Sequence, residues 1–428
     1  MKRKVVGLIL ALALLGPIAA SAGNVSSKMD VDFYGYIKLD AVYQSSFAVM
    51  DQYLVQVPPG NLREGADSQK NSEQDTFHMT ARQSRFGFLI NGPSNEDISS
   101  RGRLEMDFYG DWPAQSAASD PDENKGMMML RRAYVEVMGD NWSVLAGNEW
   151  MVVSPMFPHV NNYPYGADCG NLGYRMPQIR LTGYAMDKQI VMQLAAVNKI
   201  GNGEFLDIDT GRMNAAPTWE AGLWYKGPVT VAVTGHYGQE EIKSHRGEMI
   251  MDGTTVVGPL YAHYGSKVDS WSYNVSLAIP LGDYFAINGE WYSGANLDGW
   301  YTGGAGQGWV MTDDGDREPL ETTGGWAEIM IKPSDSLKFY VGYGMDDPND
   351  DQLEDGIIEP GYVGSSGNQG ITKNSMMYAN VWYNVNSATM ISFEYMQMTT
   401  EYELADEDGL DWDDGEADRY TLSFWYIF

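Results

Sequence analysis

Sixteen stretches of the 428-residue chain alternate apolar and polar residues at every second position, and the connections between them alternate strictly between short and long. The runs cover 31–46, 76–91, 99–110, 129–139, 141–150, 174–185, 188–198, 217–226, 228–238, 268–279, 283–293, 322–333, 335–345, 374–386, 388–400 and 418–428. A period of two belongs to a pleated strand, whose successive side chains leave on opposite sides. The stretch "RGRLEMDFYG" puts Arg101, Arg103, Glu105 and Asp107 on one face and Gly102, Leu104, Met106 and Phe108 on the other. Seven connections are tight, such as Gly139-Asp140-Asn141 and Gly227-Pro228, and the other eight are long and rich in Gly, Asp, Asn and Ser. A transmembrane barrel keeps tight turns at one rim and long loops at the other, whereas a soluble sandwich has no reason to sort its loops. The pattern predicts an all-β chain forming a sixteen-stranded antiparallel transmembrane β-barrel.

The mean hydropathy of −0.34 suits a soluble protein, but a barrel strand shows only every second residue to lipid and gives the same value. Aromatic residues at run ends, among them Trp142, Trp150, Trp224, Tyr225, Trp291, Tyr292 and Trp382, are expected in interfacial girdles. The last run, "RYTLSFWYIF", carries alternating aromatics to a terminal Phe428, which resembles the signal read by outer-membrane assembly machinery. It must pair with the first run, because unpaired backbone groups cannot face hydrocarbon.

The opening "MKRKVVGLILALALLGPIAASAG" has three cations, an apolar run too short to span, and Ala20-Ser21-Ala22; it reads as a signal peptide over 1–22, leaving 23–428 as the barrel. With 28 Lys and Arg against 58 Asp and Glu the net charge is −30, which argues against nucleic acid as a partner. A single cysteine, Cys169, excludes intramolecular disulfides and paired-cysteine metal sites. The acidic stretches 346–359 and 401–418, with Asp406, Asp408, Asp411, Asp413 and Asp414 in the second, do not follow calcium-loop spacing. His78, His159, His236, His245 and His263 lack a nucleophile elbow or a metal motif. No cofactor, metal or catalytic site is therefore expected.

On the face expected to line the lumen, the first six strands offer Lys38, Arg85, Arg101, Arg103, Arg132 and Arg180, while later strands offer Glu220, Glu290, Glu328 and Glu394. Side-chain charge of this kind sets ion selectivity, and guanidinium groups suit carboxylates and phosphates. Glu105 and Asp107 share a strand face with Arg101 and Arg103; the four either line the pore or neutralise one another as a structural network.

The segment from Ala146-Gly147-Asn148-Glu149-Trp150 to Tyr174-Arg175-Met176-Pro177-Gln178-Ile179-Arg180-Leu181-Thr182, together with "FYGYIKLDAVY" and "ARQSRFGF", resembles the DcaP-like trimeric porins of Gram-negative outer membranes. The resemblance implies a homotrimer surrounded by outer-membrane lipid and lipopolysaccharide, in which a loop folds into each lumen. It also implies passive diffusion of small hydrophilic solutes, with anions such as dicarboxylates favoured. The helical extension of some members has no counterpart here, and Glu149 places an acid at the loop root. The constriction loop is then 151–173, with Glu149, His159 and Asp168 as its polar groups and Pro155, Pro158 and Pro164 as stiffeners. A barrel-type enzyme, or a structural barrel with a filled lumen, is the alternative.

Overall fold

A computed structural model describes residues 29–46, 53–59, 75–95, 97–110, 126–153, 155–198, 214–241, 248–252, 255–260, 267–298, 301–311, 317–355, 370–402 and 414–428. Sixteen strands form one closed antiparallel barrel. They are β1 (Asp30–Gln44), β2 (Thr76–Thr80 continued by Arg85–Asn91), β3 (Ser99–Gly110), β4 (Met127–Met138), β5 (Trp142–Trp150), β6 (Arg175–Ala185), β7 (Ile190–Val197) and β8 (Thr218–Lys226). The second half comprises β9 (Thr230–Glu241), β10 (Lys267–Leu281), β11 (Phe285–Ala295), β12 (Glu321–Ser334), β13 (Leu337–Pro348), β14 (Ile371–Asn384), β15 (Thr389–Tyr402) and β16 (Gly415–Ile427). Each strand pairs with the next, and β16 closes on β1 from Tyr36↔Ile427 to Gln44↔Arg419. Two small hairpins, Glu248–Asp252 with Thr255–Leu260 and Trp309–Met311 with Arg317–Pro319, lie outside the barrel sheet. Residues 1–22, His245, His263 and most of 401–418 lie outside the described residues.

The alternation read from sequence is realised as an apolar exterior: Phe33, Ile37, Val135, Ile179 and Phe393 all face outward and are exposed. It also corrects the aromatic girdles. In the doublets Trp224-Tyr225 and Trp291-Tyr292 one ring points out and the other in, as period two requires. Tyr225 and Trp291 are exposed, whereas Trp224 and Tyr292 are buried inside. Trp150 and Trp382 are likewise lumenal, packing on Phe157 and Tyr340.

Two irregularities shift the alternation. The second strand breaks at 81–84, where Ser84 N–H donates to the Ala81 carbonyl, and Gln83 and Arg85 both turn inward toward Tyr165. In β4 the register slips between Glu105↔Arg132 and Met106↔Leu130, a bulge that aims two successive residues, Arg131 and Arg132, into the lumen. Gly147 in β5 sits at φ +141°, where a Cβ would collide with the Ala133 carbonyl of β4.

The long-loop half of the lumen is not empty. Segments 53–59, 151–153, 155–174, 296–298 and 301–309 run inside and hold one another: Asn162 exchanges hydrogen bonds with the backbone of Leu54, Asp168 N–H donates to the Thr302 carbonyl, and Gln56 donates to the Ala305 carbonyl. One apolar cluster joins Met151, Val152, Val153 and Leu172 to Trp224, Tyr292, Leu297 and Tyr301, and a second joins Leu54, Val57, Val160 and Cys169 to Tyr340, Tyr378, Met396 and Met398. Gly170, at φ +97°, lies so close to the Gly325 carbonyl of β12 that no side chain fits between them.

Candidate functional site

The segment 151–173 has no ladder partner for most of its backbone, and buried N–H groups must be paired. Carboxylates of the later strands supply the acceptors. Glu220 on β8 accepts from Val152 N–H (2.7 Å), and Glu290 on β11 accepts from Met156 N–H as well as Ser276 and Trp326. Glu328 on β12 accepts from His159 N–H (2.9 Å), Tyr378 and Asn288. Glu394 on β15 accepts from the N–H groups of Asn161 (2.6 Å) and Asn162 (3.3 Å) and from Asn380, and Asp346 on β13 accepts from Gly170 and Ala305. The sequence expectation of an acidic wall facing the pore is thereby corrected: all four glutamates are buried and spent on holding the loop.

The opposite wall carries cations that stay partly exposed although most are paired. Arg101 forms a two-pronged pair with Glu136 (2.6 and 2.8 Å) and remains 38% exposed. Arg103 lies over the Tyr34 ring, donates to its hydroxyl (2.6 Å) and reaches Glu105 (3.3 Å). Arg132 clasps Glu149 at the loop root (2.5 and 3.1 Å), so the acid there is neutralised by the bulge in β4. Arg180 reaches the Trp150 carbonyl at 3.3 Å, and its buried Nε has no partner among the described residues. With Lys226 these groups line a chamber of about 540 Å³, roofed by 150–157, in which five cations meet two acids, Glu136 and Glu149. Arg101, Glu136, Tyr184, Val191 and Lys226 line it from strand ends near the tight turns, and Glu149, Trp150, Met151, Val152, Pro155 and Phe157 close it from the other side.

Other sequence-singled residues are placed elsewhere. Glu105 and Asp107 are buried, gripped by Arg131 at 3.1 and 2.5 Å, with Tyr163 closing the set; of the arginines on their own strand face only Arg103 reaches one of them, Glu105 at 3.3 Å. Lys38 projects inward but is fully buried beneath the inward segment, donating to Gln83 and the Asn161 carbonyl and lying over Trp425. Arg85 donates to the Tyr165 hydroxyl (3.2 Å). Burial would raise the Tyr165 phenol, but Arg85, Arg131 and Lys38 around it outweigh that and pull it down to about 7. Asp168 is half-buried beside Asp346 and Asp298, and desolvation followed by their repulsion holds its carboxyl well above the usual range. His159 keeps an exposed edge, and His236 is buried between the hydroxyls of Ser270 and Ser272. Arg131 was missed because strict alternation assigns it to the lipid face; no local signal marks the bulge.

No protein-family model and no curated protein matches the sequence. Solved structures do. The outer membrane channel DcaP of Acinetobacter baumannii is 17% identical with a TM-score of 0.69, covering 94% of this chain and 97% of that one. An anion-selective porin from Comamonas acidovorans is 11% identical with a TM-score of 0.57, covering 94% and 100%. A trimer form of the outer membrane protein OmpT of Vibrio cholerae is 15% identical with a TM-score of 0.53, covering 94% and 99%. Likeness at such identities speaks for architecture, and with the closed barrel and apolar exterior it gives one conclusion: the chain is an outer-membrane β-barrel with the porin fold of DcaP.

Proposed function

We propose that the chain is a passive diffusion channel for small hydrophilic solutes with a preference for anions. The observation that carries this reading is the asymmetry of the lumen, in which wall acids are consumed by loop amides while Arg101, Arg103, Arg132, Arg180 and Lys226 share a chamber with only two carboxylates. Charges closest to the permeation path dominate, because the acidic outer loops are screened beyond about 8 Å at physiological ionic strength. We place the channel in a homotrimer embedded in lipid and lipopolysaccharide, with residues 1–22 removed on export; the trimeric porin neighbour supports the assembly. Segment 151–173 acts as the constriction. Reversal potential under a salt gradient tests the reading. The native pore should favour anions, and Arg101→Ala with Arg103→Ala should shift it toward cations, since the chamber falls from five cations against two acids to three against two. A native pore that favours cations, unmoved by the double change, would refute it. The three interlocked inner segments favour one rival, a filled structural barrel; an absence of any conductance would establish that instead.

A further inference from the structure

We infer that the lumen holds a second solute site, apart from the cationic chamber: a belt of aromatic side chains on which pyranose rings bearing a carboxylate, such as hexuronates, stack as they pass. The inference rests on the channel reading above, which supplies the anionic charge of the solute. The belt crosses β1, β16, β14 and β13 on their inward faces. Tyr36 lies 4.9 Å from Trp425, Trp425 6.2 Å from Trp382, and Trp382 5.5 Å from Tyr340, centroid to centroid. His159, on the inward segment, closes the belt by lying flat on Tyr340 at 4.2 Å. Tyr340 is covered, but Tyr36, Trp382 and Trp425 are half-buried and 39% of the His159 side chain is exposed, so the belt shows ring surface to the lumen. Tyr340 and Trp382 stand within three residues of the tight-turn ends of β13 and β14.

The geometry of the rings selects the solute. A flat aromatic molecule is held best between two parallel faces, but successive belt rings are tilted by 59°, 35° and 62°, so each presents a face singly. A pyranose suits single faces: C–H bonds on one side of its ring meet the negative face of an indole or phenol, and its hydroxyls stay in water at the rim. Lys38, fully buried, lies over Trp425 at 4.3 Å and backs that indole. Cations also flank the belt at both ends. Lys338 shares the inward face of β13 with Tyr340 and is the register partner of Trp382, and Arg85 lies over Tyr36 at 5.3 Å. The acids bonded to the surroundings of the belt, Glu328 and Glu394, are buried and engaged with the inward segment, so a carboxylate on the passing ring is attracted. Tyr34, two residues before Tyr36 on the same face of β1, carries Arg103 over its ring at 4.8 Å, and Arg103 lines the cationic chamber. Rings and guanidinium groups are thereby continuous, and a solute exchanges stacking for ion pairing without leaving the wall. Serial weak sites of this kind allow passage where one deep site would trap the solute.

Saturation-transfer NMR on the full-length barrel in detergent and current block in planar bilayers test the site, with D-glucuronate, D-glucose, acetate and benzoate as probes. Glucuronate should receive saturation on its ring C–H protons and should half-block potassium chloride current at a concentration about fivefold or more below that of acetate, the factor that one stacked ring face contributes. Trp382→Ala with Trp425→Ala should bring glucuronate to the level of acetate, and Trp382→Phe with Trp425→Phe should restore most of the difference because ring faces return. Glucuronate no tighter than acetate, or unchanged in the double alanine variant, overturns the inference. So does glucose that binds as well as glucuronate, since the carboxylate then has no role, and so does benzoate that binds better, since the site then takes flat rings. If the alanine variant does not assemble, the indole N–H resonances of Trp382 and Trp425, identified by their loss in the single phenylalanine variants, should shift with glucuronate in the wild type; indoles that do not respond overturn the inference. Reversal potential in potassium chloride reports on the channel reading alone and saturation transfer, which needs no conductance, on this one, so either can fail without the other.

Discussion

Replacing Glu394 by Ala should free the middle of the inward segment without harming the barrel. The carboxylate accepts three hydrogen bonds, from Asn161 N–H, Asn162 N–H and the Asn380 amide, and no part of Glu394 is exposed to water. Each bond to a buried charged acceptor contributes about 1–3 kcal/mol once the cost of an orphaned donor is counted. Three of them amount to roughly 3 kcal/mol or more in local opening, even after water enters the space left by the side chain. That corresponds to about a hundredfold faster exchange of the amides at 161 and 162, because local opening sets exchange protection. Hydrogen–deuterium exchange read on peptides spanning 155–170 measures it, with Glu136→Ala as a control, since Glu136 pairs with Arg101 and is not among the acceptors of loop amides described above. Exchange within threefold of wild type in Glu394→Ala would show that the carboxylate does not hold the loop.

Two further outcomes follow from contacts at the loop and at the seam. Tyr165, pulled down to about 7 from an ordinary value near 10, should give one phenolate absorbance step near neutrality that vanishes in Tyr165→Phe. The depressed value means its contribution to stability is full above about pH 10 and lost as pH falls through about 7; an ultraviolet titration with no phenolate below pH 9 would contradict this. Deleting Phe428 should lower the yield of heat-modifiable oligomer in the outer membrane, because its ring stacks on Phe33 at 5.0 Å and its backbone exchanges hydrogen bonds with Gly35; unchanged yield would count against a role in closure.

The barrel was legible because period two and loop length are local properties, and run boundaries such as 99–110 coincide with the observed strand Ser99–Gly110. Charges were harder to read. Sequence places Glu328 and Glu394 on the lumenal face but cannot tell that a loop 169 or 233 residues away will cover them. Arg131 was hidden for a different reason, since one extra residue in β4 reverses the alternation that assigns faces. The inward paths of 53–59, 296–298 and 301–309 carry no periodic signal at all; they are visible only through pairings such as Gln56 with Ala305.

The wall acids grip main-chain N–H groups at 152, 156, 159, 161, 162 and 170, and every amino acid except proline possesses that group. Pro155, Pro158 and Pro164 fall between the gripped positions. The course of the segment is therefore encoded mostly in the barrel rather than in the segment itself. Only the side chains of the segment outside the two apolar clusters and the Asn162 and Tyr163 hydrogen bonds are free to change, so a single scaffold can be retuned for new solutes by rewriting a few lumen-facing letters while the thread stays in place.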